Sequence, residues 1–446
     1  MTTRPHVRRA VKPSKAVQHE PVALRIARIG ADGDGVGALP DGTRYYVPLT
    51  VPGDVVLVRP FARRGEGWAA AVETLLERGP SRQTPACIHF GTCGGCALQH
   101  WDEPAYRDWK TGLLTAALHR AGYDDPTVDP IAGAGPHSRR RMDLAVRRTA
   151  STAIVGLHQP RSAEIVDIAQ CPVLHPALFA LIAPLRIVFN RLNGLRREAS
   201  LVVNLLDSGP DLLLRTDNDL TTPDRTLLTA FAREHGLPRI SWARNDESPE
   251  TVCLLAPPTT AMSGVSVMPP PGAFLQATAA GEAAIVSAVL AGLPKKRTAR
   301  AQVLELYAGC GTIGFALAAH MRVTAFEGDP ALVSACHTAA NMAGLMGKVT
   351  ISARDLARQP LQAKELKPFA AMVLDPPHAG AAAQMPHIAM AKVPVVIYVS
   401  CDPGALGRDA LVLHDAGYRL ERATPIDQFL WSARLESVSV FRFGSK

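Results

Sequence analysis

A cysteine near the C-terminus stands where a strand of a parallel sheet is expected to end. Residues 395–399 are apolar and mostly β-branched, which predicts a buried strand, and Ser400, Cys401, Asp402 and Pro403 follow them. Asp and Pro end strands and begin turns, and open α/β sheets bind ligands at the carboxyl ends of their strands. Cys401 is therefore a candidate nucleophile in a crevice, although a cysteine considered alone is more often a buried structural residue.

A second group of cysteines has the spacing of a metal or cluster site. Cys87, Cys93 and Cys96 lie within ten residues, and the two glycines before Cys96 allow the backbone to curl so that the sulfurs converge. Three thiolates need a fourth ligand, and Cys171 is the best candidate because a proline follows it, as at the last ligand of iron–sulfur sites. Spacing alone does not separate zinc from an iron–sulfur cluster.

Three signals in the C-terminal half predict a nucleotide-type cofactor site. The apolar residues 303–307 lead into a glycine-rich turn that begins at Gly309, and glycine there lets the backbone approach a ligand closely. The next predicted strand ends at Glu327, whose carboxylate can accept hydrogen bonds from ribose hydroxyls. A third apolar strand ends in Asp375 and two prolines. The glycine pattern is common to many nucleotide folds, so a dinucleotide oxidoreductase is the alternative at this point.

The composition limits the class of protein. The 446 residues carry 48 Lys and Arg against 40 Asp and Glu, and the net charge of +8 favours a polyanionic partner such as RNA. No run of about eighteen apolar residues occurs, so we expect no membrane contact. Eight cysteines, three of them clustered, indicate a reducing compartment, and we expect a cytoplasmic protein. A monomer is the simplest expectation.

The pattern along the chain predicts four parts. Residues 1–18 are basic and expected to be a disordered tail. Residues 19–80 contain short strands between glycine-rich turns, which predicts a small OB-type β-barrel. Residues 81–270 are expected to form a central α+β domain that holds the cysteines, with a helix in 98–125 packing on the catalytic domain. From residue 271 to 446 the βαβ pattern predicts a doubly wound, Rossmann-like α/β domain.

Arginines cluster in two of these parts. Five lie between residues 139 and 148, and because guanidinium groups hold phosphates bidentately or stack on bases, we interpret this run as an RNA contact. Three more lie in the predicted barrel, where phosphate contact and a solvated face are equally good interpretations. The two sets are Arg139, Arg140, Arg141, Arg147 and Arg148, and Arg59, Arg63 and Arg64.

Together these motifs resemble a known family. The glycine turn, Glu327 and Asp-Pro-Pro, in that order, resemble class I S-adenosylmethionine-dependent methyltransferases. Cys401 at a strand end, followed by Leu-Glu-Ser around Glu436, is similar to the RNA uracil-C5 methyltransferases. The predicted barrel resembles the TRAM domain, an RNA-binding barrel of RNA-modifying enzymes. With its four spaced cysteines, the chain from about residue 20 to 443 resembles the iron–sulfur branch that makes 5-methyluridine in 23S rRNA.

The resemblance implies roles for individual residues. Cys401 would attack carbon 6 of a uracil flipped out of folded RNA, so that carbon 5 can take a methyl group, and Glu436 would remove the carbon-5 proton. We expect the pocket to favour the thiolate form of Cys401. The four cysteines would hold a [4Fe–4S] cluster with a structural role. Contacts to S-adenosylmethionine are implied for Gln276, Tyr307, Gly309, Thr312, Glu327, Asp355 and Asp375.

The chain departs from the family pattern around the predicted nucleophile. Asn is common in place of Thr312 and Asp402, Arg in place of His378, and the segment before Leu435 often reads Pro-His and ends in His. The departing residues are Thr312, His378, Asp402, Leu430, Trp431 and Arg434. The alternatives are the same reaction on transfer RNA and a non-catalytic RNA-binding protein, and the presence of both Cys401 and Glu436 argues against the second. An iron–sulfur redox protein would need neither Asp-Pro-Pro nor the barrel.

Overall fold

A closed barrel near the N-terminal end confirms the predicted OB-type element. The computed structural model describes residues 20–295 and 300–444, and the predicted basic tail, residues 1–18, lies outside them. The barrel strands are β1 (Val22–Ile29), β2 (Gly35–Ala38), β3 (Arg44–Val47), β4 (Val55–Arg64) and β5 (Gly67–Glu77). They close in the order β1-β2-β3-β5-β4. Side chains such as Leu24, Tyr45 and Val56 fill the interior because alternate residues of a strand face the same side.

A seven-stranded sheet forms the centre of the chain. The elements of this region are α1 (Glu103–Arg120), β6 (Ala132–Gly133), β7 (Arg141–Arg148), β8 (Ala153–His158), β9 (Ile165–Asp167), α2 (Pro176–Phe179), α3 (Ile182–Arg191), β10 (Glu198–Leu206), β11 (Gly209–Thr216), α4 (Thr222–Glu234), β12 (Arg239–Arg244) and β13 (Glu250–Leu254). The sheet order is β13-β12-β11-β10-β7-β8-β9. Apolar residues of α3 and α4, among them Phe189 and Phe231, share one core with this sheet.

The C-terminal half is a doubly wound sheet, as the βαβ pattern predicts. Its elements are β14 (Thr260–Met262), β15 (Val265–Val267), α5 (Ala279–Gly292), β16 (Gln302–Leu306), α6 (Thr312–Ala318), β17 (Arg322–Glu327), α7 (Pro330–Met342), β18 (Val349–Ala353), α8 (Ala363–Leu366), β19 (Ala371–Leu374), α9 (Met385–Ala391), β20 (Val395–Ser400), α10 (Pro403–Asp415), β21 (Tyr418–Asp427) and β22 (Glu436–Phe443). The sheet order is β18-β17-β16-β19-β20-β22-β21-β6.

Both faces of this sheet are covered. Strands β16 to β20 pair in parallel, and β22 runs antiparallel to β20 and β21. Alternate residues of β20 belong to two separate cores, Ile397 on one face and Tyr398 on the other. The strand order reverses at β16, and the crevice at such a switch point is where this class of sheet binds ligands. Among the described residues, no helix has the length and hydropathy to cross a bilayer.

Segments that precede residue 271 also pack on the C-terminal sheet. Helix α1 contributes Leu114 and Leu118 to the core that contains Tyr398, and it contacts α10 and β21. Strand β6 extends the sheet by pairing with the end of β21. The β14–β15 hairpin contributes Met262 and Val265 to the opposite core. The sequence predicted the contact of the helix, but β6 is only two residues long and gave no periodic signal.

Candidate active site

Cys401 lies at the carboxyl end of β20, a strand that is buried along its whole length. All six residues of β20 are buried, and Cys401 directly follows them and is half-buried. The carboxylate of Asp402 accepts the backbone N–H of Ala405 and caps α10, and Pro403 occupies the first helical position. The Asp-Pro pair therefore starts a helix rather than a simple turn, because Asp satisfies an unpaired N–H there and Pro lacks one.

Glu436 lies beside Cys401 across the neighbouring strand. Strands β20 and β22 are antiparallel, with Ser400 opposite Ser437. Cys401 follows Ser400 and Glu436 precedes Ser437, so these two residues continue the same register. Glu436 is buried, and its Oε2 accepts a hydrogen bond from Gln428 Nε2 at 2.8 Å. Its Oε1 has no hydrogen-bond partner among the described residues. A buried carboxylate oxygen without a partner is free to receive a proton from a bound molecule.

A buried glutamine that the sequence analysis missed links Glu436 to predicted cofactor residues. Gln428 Nε2 also donates to Gln276 Oε1 at 2.7 Å, and Gln428 Oε1 accepts the backbone N–H of Ala277 at 3.0 Å. Gln276 Nε2 in turn lies 3.5 Å from Asp375 Oδ2. The amides thus connect two carboxyl groups across the crevice. No local pattern marks Gln428, because its partner Gln276 is 152 residues away in sequence.

The carboxyl groups of this site raise one another's pKa values. Burial raises the pKa of Asp375, and the negative charge of Glu327 adds to the effect. Burial likewise raises the pKa of Glu436, with a further contribution from Asp375. Because like charges in a buried site oppose ionisation, a nearby positive charge such as a sulfonium would favour the ionised forms.

Most of the groups around Cys401 act against the expected thiolate form of its side chain. Burial raises the pKa of the thiol to about 12, and three carboxyl groups add to the effect, whereas Arg434 lowers the pKa. The carboxyl groups are Glu436, Asp375 and Asp402. A thiol with such a pKa is almost fully protonated at neutral pH, so a reaction through its thiolate needs compensating interactions.

The glycine turn and Glu327 form the opposite side of the crevice. Gly309 has φ +55° and open space where a side chain would begin, which leaves its backbone accessible. Its N–H donates to Glu327 Oε2, and Asp329 N–H donates to Glu327 Oε1, both at 2.9 Å. Tyr307 has φ +64°, a conformation that is uncommon for a bulky residue and is concentrated at functional sites.

The remaining predicted cofactor residues lie at neighbouring strand ends. Asp355 follows β18, and its Oδ1 accepts the backbone N–H groups of Ala357 and Arg358. Thr312 begins α6, and its hydroxyl lies 3.5 Å from Met262 Sδ. The sheet thus brings the seven predicted residues to one crevice, at the carboxyl ends of β16 to β19 and beside Gln276. Their contacts with S-adenosylmethionine stay a prediction.

The four predicted ligand cysteines line one cavity. The cavity has a volume of about 460 Å³, and Arg139 and Arg434 also line it. Cys87, Cys93, Cys96 and Cys171 are free and half-buried. In the part of the chain that the structure describes, no three His, Cys, Asp or Glu side chains are placed to hold one metal ion. Thiolates bind zinc ions and iron–sulfur clusters alike, so the cluster on these four cysteines stays a prediction.

The arginine run of residues 139–148 has internal partners, and its contact with RNA stays a prediction. Arg140 pairs with Glu282 and Arg147 with Glu164, while the other three donate to backbone carbonyls. Those three are Arg139, Arg141 and Arg148. The barrel arginines are engaged as well, since Arg59 pairs with Glu73, Arg63 stacks on Trp68, and Arg64 pairs with Asp32 and Asp34. Composition reveals charge but not the partners that neutralise it.

Known proteins resemble this chain over most of its length. Residues 270–442 match the family described as tRNA (Uracil-5-)-methyltransferase. An uncharacterized RNA methyltransferase of Brucella suis is 41% identical over 421 residues, which are 94% of this chain and 98% of that protein. The 23S rRNA (uracil(1939)-C(5))-methyltransferase of Chromohalobacter salexigens is 35% identical, and the match covers 93% of this chain and 88% of that protein.

A solved structure shares the whole architecture. The Pyrococcus abyssi tRNA (uracil-54, C5)-methyltransferase, in complex with S-adenosyl-L-homocysteine, superimposes with a TM-score of 0.70. The match covers 94% of this chain and 100% of the other at 19% sequence identity. At this identity the likeness shows a common fold.

Proposed function

Because this chain belongs to the RNA uracil-C5 methyltransferase family, we propose that it transfers a methyl group from S-adenosylmethionine to carbon 5 of a uridine in 23S rRNA. The observation that carries the proposal is the placement of Cys401 beside Glu436, whose unpaired Oε1 lies in the same buried site. The relative that acts on 23S rRNA covers almost the whole chain, which supports ribosomal RNA as the substrate class.

The chemistry needs a nucleophile and a base because carbon 5 of uracil is a poor nucleophile. In the proposed reaction the Cys401 thiolate adds to carbon 6, and the electron pair of the carbon 5–carbon 6 bond becomes an enolate. Carbon 5 then takes the methyl group. Glu436 Oε1 removes the proton from carbon 5, the double bond re-forms, and the Cys401 thiolate leaves. The uracil must be flipped out of the RNA to reach both residues.

The proposed cofactor contacts use groups that the fold already orients. S-adenosylmethionine, when bound, supplies a methyl group activated by a sulfonium cation. The carboxylates of Glu327 and Asp355 are fixed by backbone N–H groups and keep further lone pairs for hydroxyl or amino donors. Asp375 and Glu436 are carboxyl groups whose ionisation a cation would favour. The crevice therefore suits a ligand with a polar sugar and a positive centre.

We propose a structural [4Fe–4S] cluster on Cys87, Cys93, Cys96 and Cys171. The four free thiols around one cavity support it, and thiolate addition with methyl transfer requires no electron transfer. The test is anaerobic purification followed by an absorbance scan and iron and sulfide analysis. Broad visible absorbance with about four irons per chain is expected. A colourless protein with one zinc ion would contradict the cluster.

The activity is tested with labelled S-adenosylmethionine and two unmodified substrates, 23S rRNA and transfer RNA. Digestion and mass analysis should find 5-methyluridine in ribosomal RNA, with no product from Cys401→Ala. Glu436→Gln should still form the covalent RNA adduct but release little product, because only the proton-removal step is blocked. Methylation of transfer RNA alone would keep the mechanism and overturn the substrate. The family description and the Pyrococcus abyssi fold relative make that comparison necessary.

A further inference from the structure

The side chains of His378 and Arg434, which come from separate segments, contact each other beside the sulfur of Cys401. His378, in the segment after β19, places its Nδ1 4.0 Å from Cys401 Sγ. Arg434, just before β22, places its Nη1 3.0 Å from His378 Nε2. Asp402 Oδ2 lies 3.5 Å from His378 Nε2 and 3.6 Å from Arg434 Nη1. The three residues form one connected group between the thiol and solvent, since the side chains of His378 and Arg434 are 55% and 58% exposed.

The contact with arginine determines how the imidazole is protonated. A guanidinium has five N–H donors and no acceptor, so His378 Nε2 must be the acceptor in its 3.0 Å contact with Arg434. A neutral imidazole with a free lone pair on Nε2 carries its hydrogen on Nδ1, the nitrogen that faces the sulfur. In this tautomer His378 cannot take the thiol proton. It can donate a hydrogen bond to a thiolate, and hydrogen bonding to the charged form favours that form.

The charges around Cys401 explain why such a donor is needed. Burial and three carboxyl groups oppose ionisation of the thiol, and Arg434 is the positive charge that favours it. The groups that face the sulfur are Glu436, Asp375, Asp402, Arg434 and His378. Among the described residues, a nucleophile in these surroundings depends on Arg434 for positive charge and on His378 for an N–H group.

We propose that His378 is a further catalytic residue, which holds the Cys401 sulfur as a thiolate through its Nδ1–H, and that Arg434 is a positioning residue. Arg434 fixes the tautomer of His378 and supplies positive charge, while Asp402 pairs with Arg434. The thiol S–H bond breaks as its proton passes to water at the exposed rim, leaving the electron pair on sulfur for addition to carbon 6. The same hydrogen bond stabilises the sulfur when it leaves carbon 6. The role rests on the proposed function of Cys401 as nucleophile.

Alkylation of Cys401 by iodoacetamide measures thiolate formation without RNA or methyl donor. The cluster-loaded, full-length protein is alkylated between pH 6 and 10, and peptide mass mapping gives the rate at Cys401 apart from the other cysteines. We expect His378→Ala and Arg434→Gln each to slow alkylation at pH 8 about tenfold, equivalent to one pH unit in the profile. His378→Asn retains an N–H donor near the position of Nδ1 and should keep most of the wild-type rate.

A matched control separates the proposed role from a loss of positive charge or of folding. Arg408, also exposed, donates to Ala379 O but does not contact the Cys401 sulfur, so Arg408→Gln should leave the profile unchanged. Circular dichroism and cluster absorbance show that each variant is folded. The proposal is overturned if His378→Ala alkylates like wild type, or if His378→Asn is slowed as much as His378→Ala.

The alkylation result is independent of the methylation result. If the profile shifts as expected but wild-type protein methylates neither RNA, the thiolate assignment stands and the proposed function fails. If 23S rRNA is methylated but the variants alkylate like wild type, the proposed function stands and the role of His378 fails.

Discussion

Gln428→Leu should raise the pH at which Glu436 ionises and can act as the base of the proposed reaction. Gln428 Nε2 donates to Glu436 Oε2, and this donor lowers the pKa of Glu436 against the opposing effects of burial and Asp375. A hydrogen bond to a charged group contributes about 1.5–3 kcal/mol, and 1.36 kcal/mol corresponds to one pKa unit. Without the donor, Glu436 should therefore require a pH about one to two units higher to ionise. Leu is apolar and of similar size, so the change removes the donor without opening a large cavity.

The assay is single-turnover methyl transfer to 23S rRNA from pH 6 to 10. The limb of the pH–rate profile that reports ionisation of the base should shift to higher pH in Gln428→Leu. At neutral pH the methylated RNA should also accumulate as a covalent adduct with Cys401, because the slowed step is proton removal after methyl transfer. The adduct is measured on denaturing gels.

The buried glutamine Gln384 provides the matched control. It is fully buried and makes two hydrogen bonds to the backbone of Leu361, so Gln384→Leu should also destabilise the protein by about 1–3 kcal/mol. It has no contact with Glu436 and should leave the pH profile in place. An unshifted limb in Gln428→Leu, or an equal shift in Gln384→Leu, would refute the role given to Gln428.

Two further changes test stability. Lys110→Met should lower the free energy of unfolding in urea by about 3–5 kcal/mol. Lys110 and Asp427 are an almost fully buried ion pair with a 2.5 Å contact, and the change would leave Asp427 unpaired. Adding Asp427→Asn should recover much of the loss, and additive losses would contradict the pairing. Glu305→Gln should flatten the pH dependence of stability, because burial raises the pKa of Glu305 to about 8. Between about pH 4.3 and 8 only the unfolded wild type releases the proton of Glu305, so the stability of the wild type falls as pH rises. An equally steep fall in Glu305→Gln would show that Glu305 is not the cause.

Local patterns predicted the parts of the site that lie within single elements. The apolar run before Cys401 predicted β20 because a strand buried on both faces has few polar residues. Glu327 and Asp375 were recognised because each comes at the end of an apolar run, where the sheet forms its crevice. In contrast, Gln428 and β6 depend on pairings between segments more than a hundred residues apart, and periodicity contains no information about them.

The departures from the family pattern became interpretable only through their contacts. In the sequence, His378, Asp402 and Arg434 are three separate changes in type. In the structure they touch one another, so they are one change in the surroundings of Cys401. The arginine run likewise has a partner that the sequence did not reveal, since Arg140 pairs with Glu282, 142 residues later. Residue type indicates what a side chain can bind, and only the fold determines which partner is within reach.

The loop between β21 and β22 connects the cysteine region to the candidate active site. The carbonyl of Trp431 in this loop accepts the backbone N–H groups of Ala97 and Leu98, directly after Cys96. The same loop begins with Gln428, which holds Glu436. A disturbed cysteine site would therefore reach Glu436 and the neighbouring Cys401 through this loop. Glu327 and the glycine turn, whose hydrogen bonds run between β16 and β17, would be affected less.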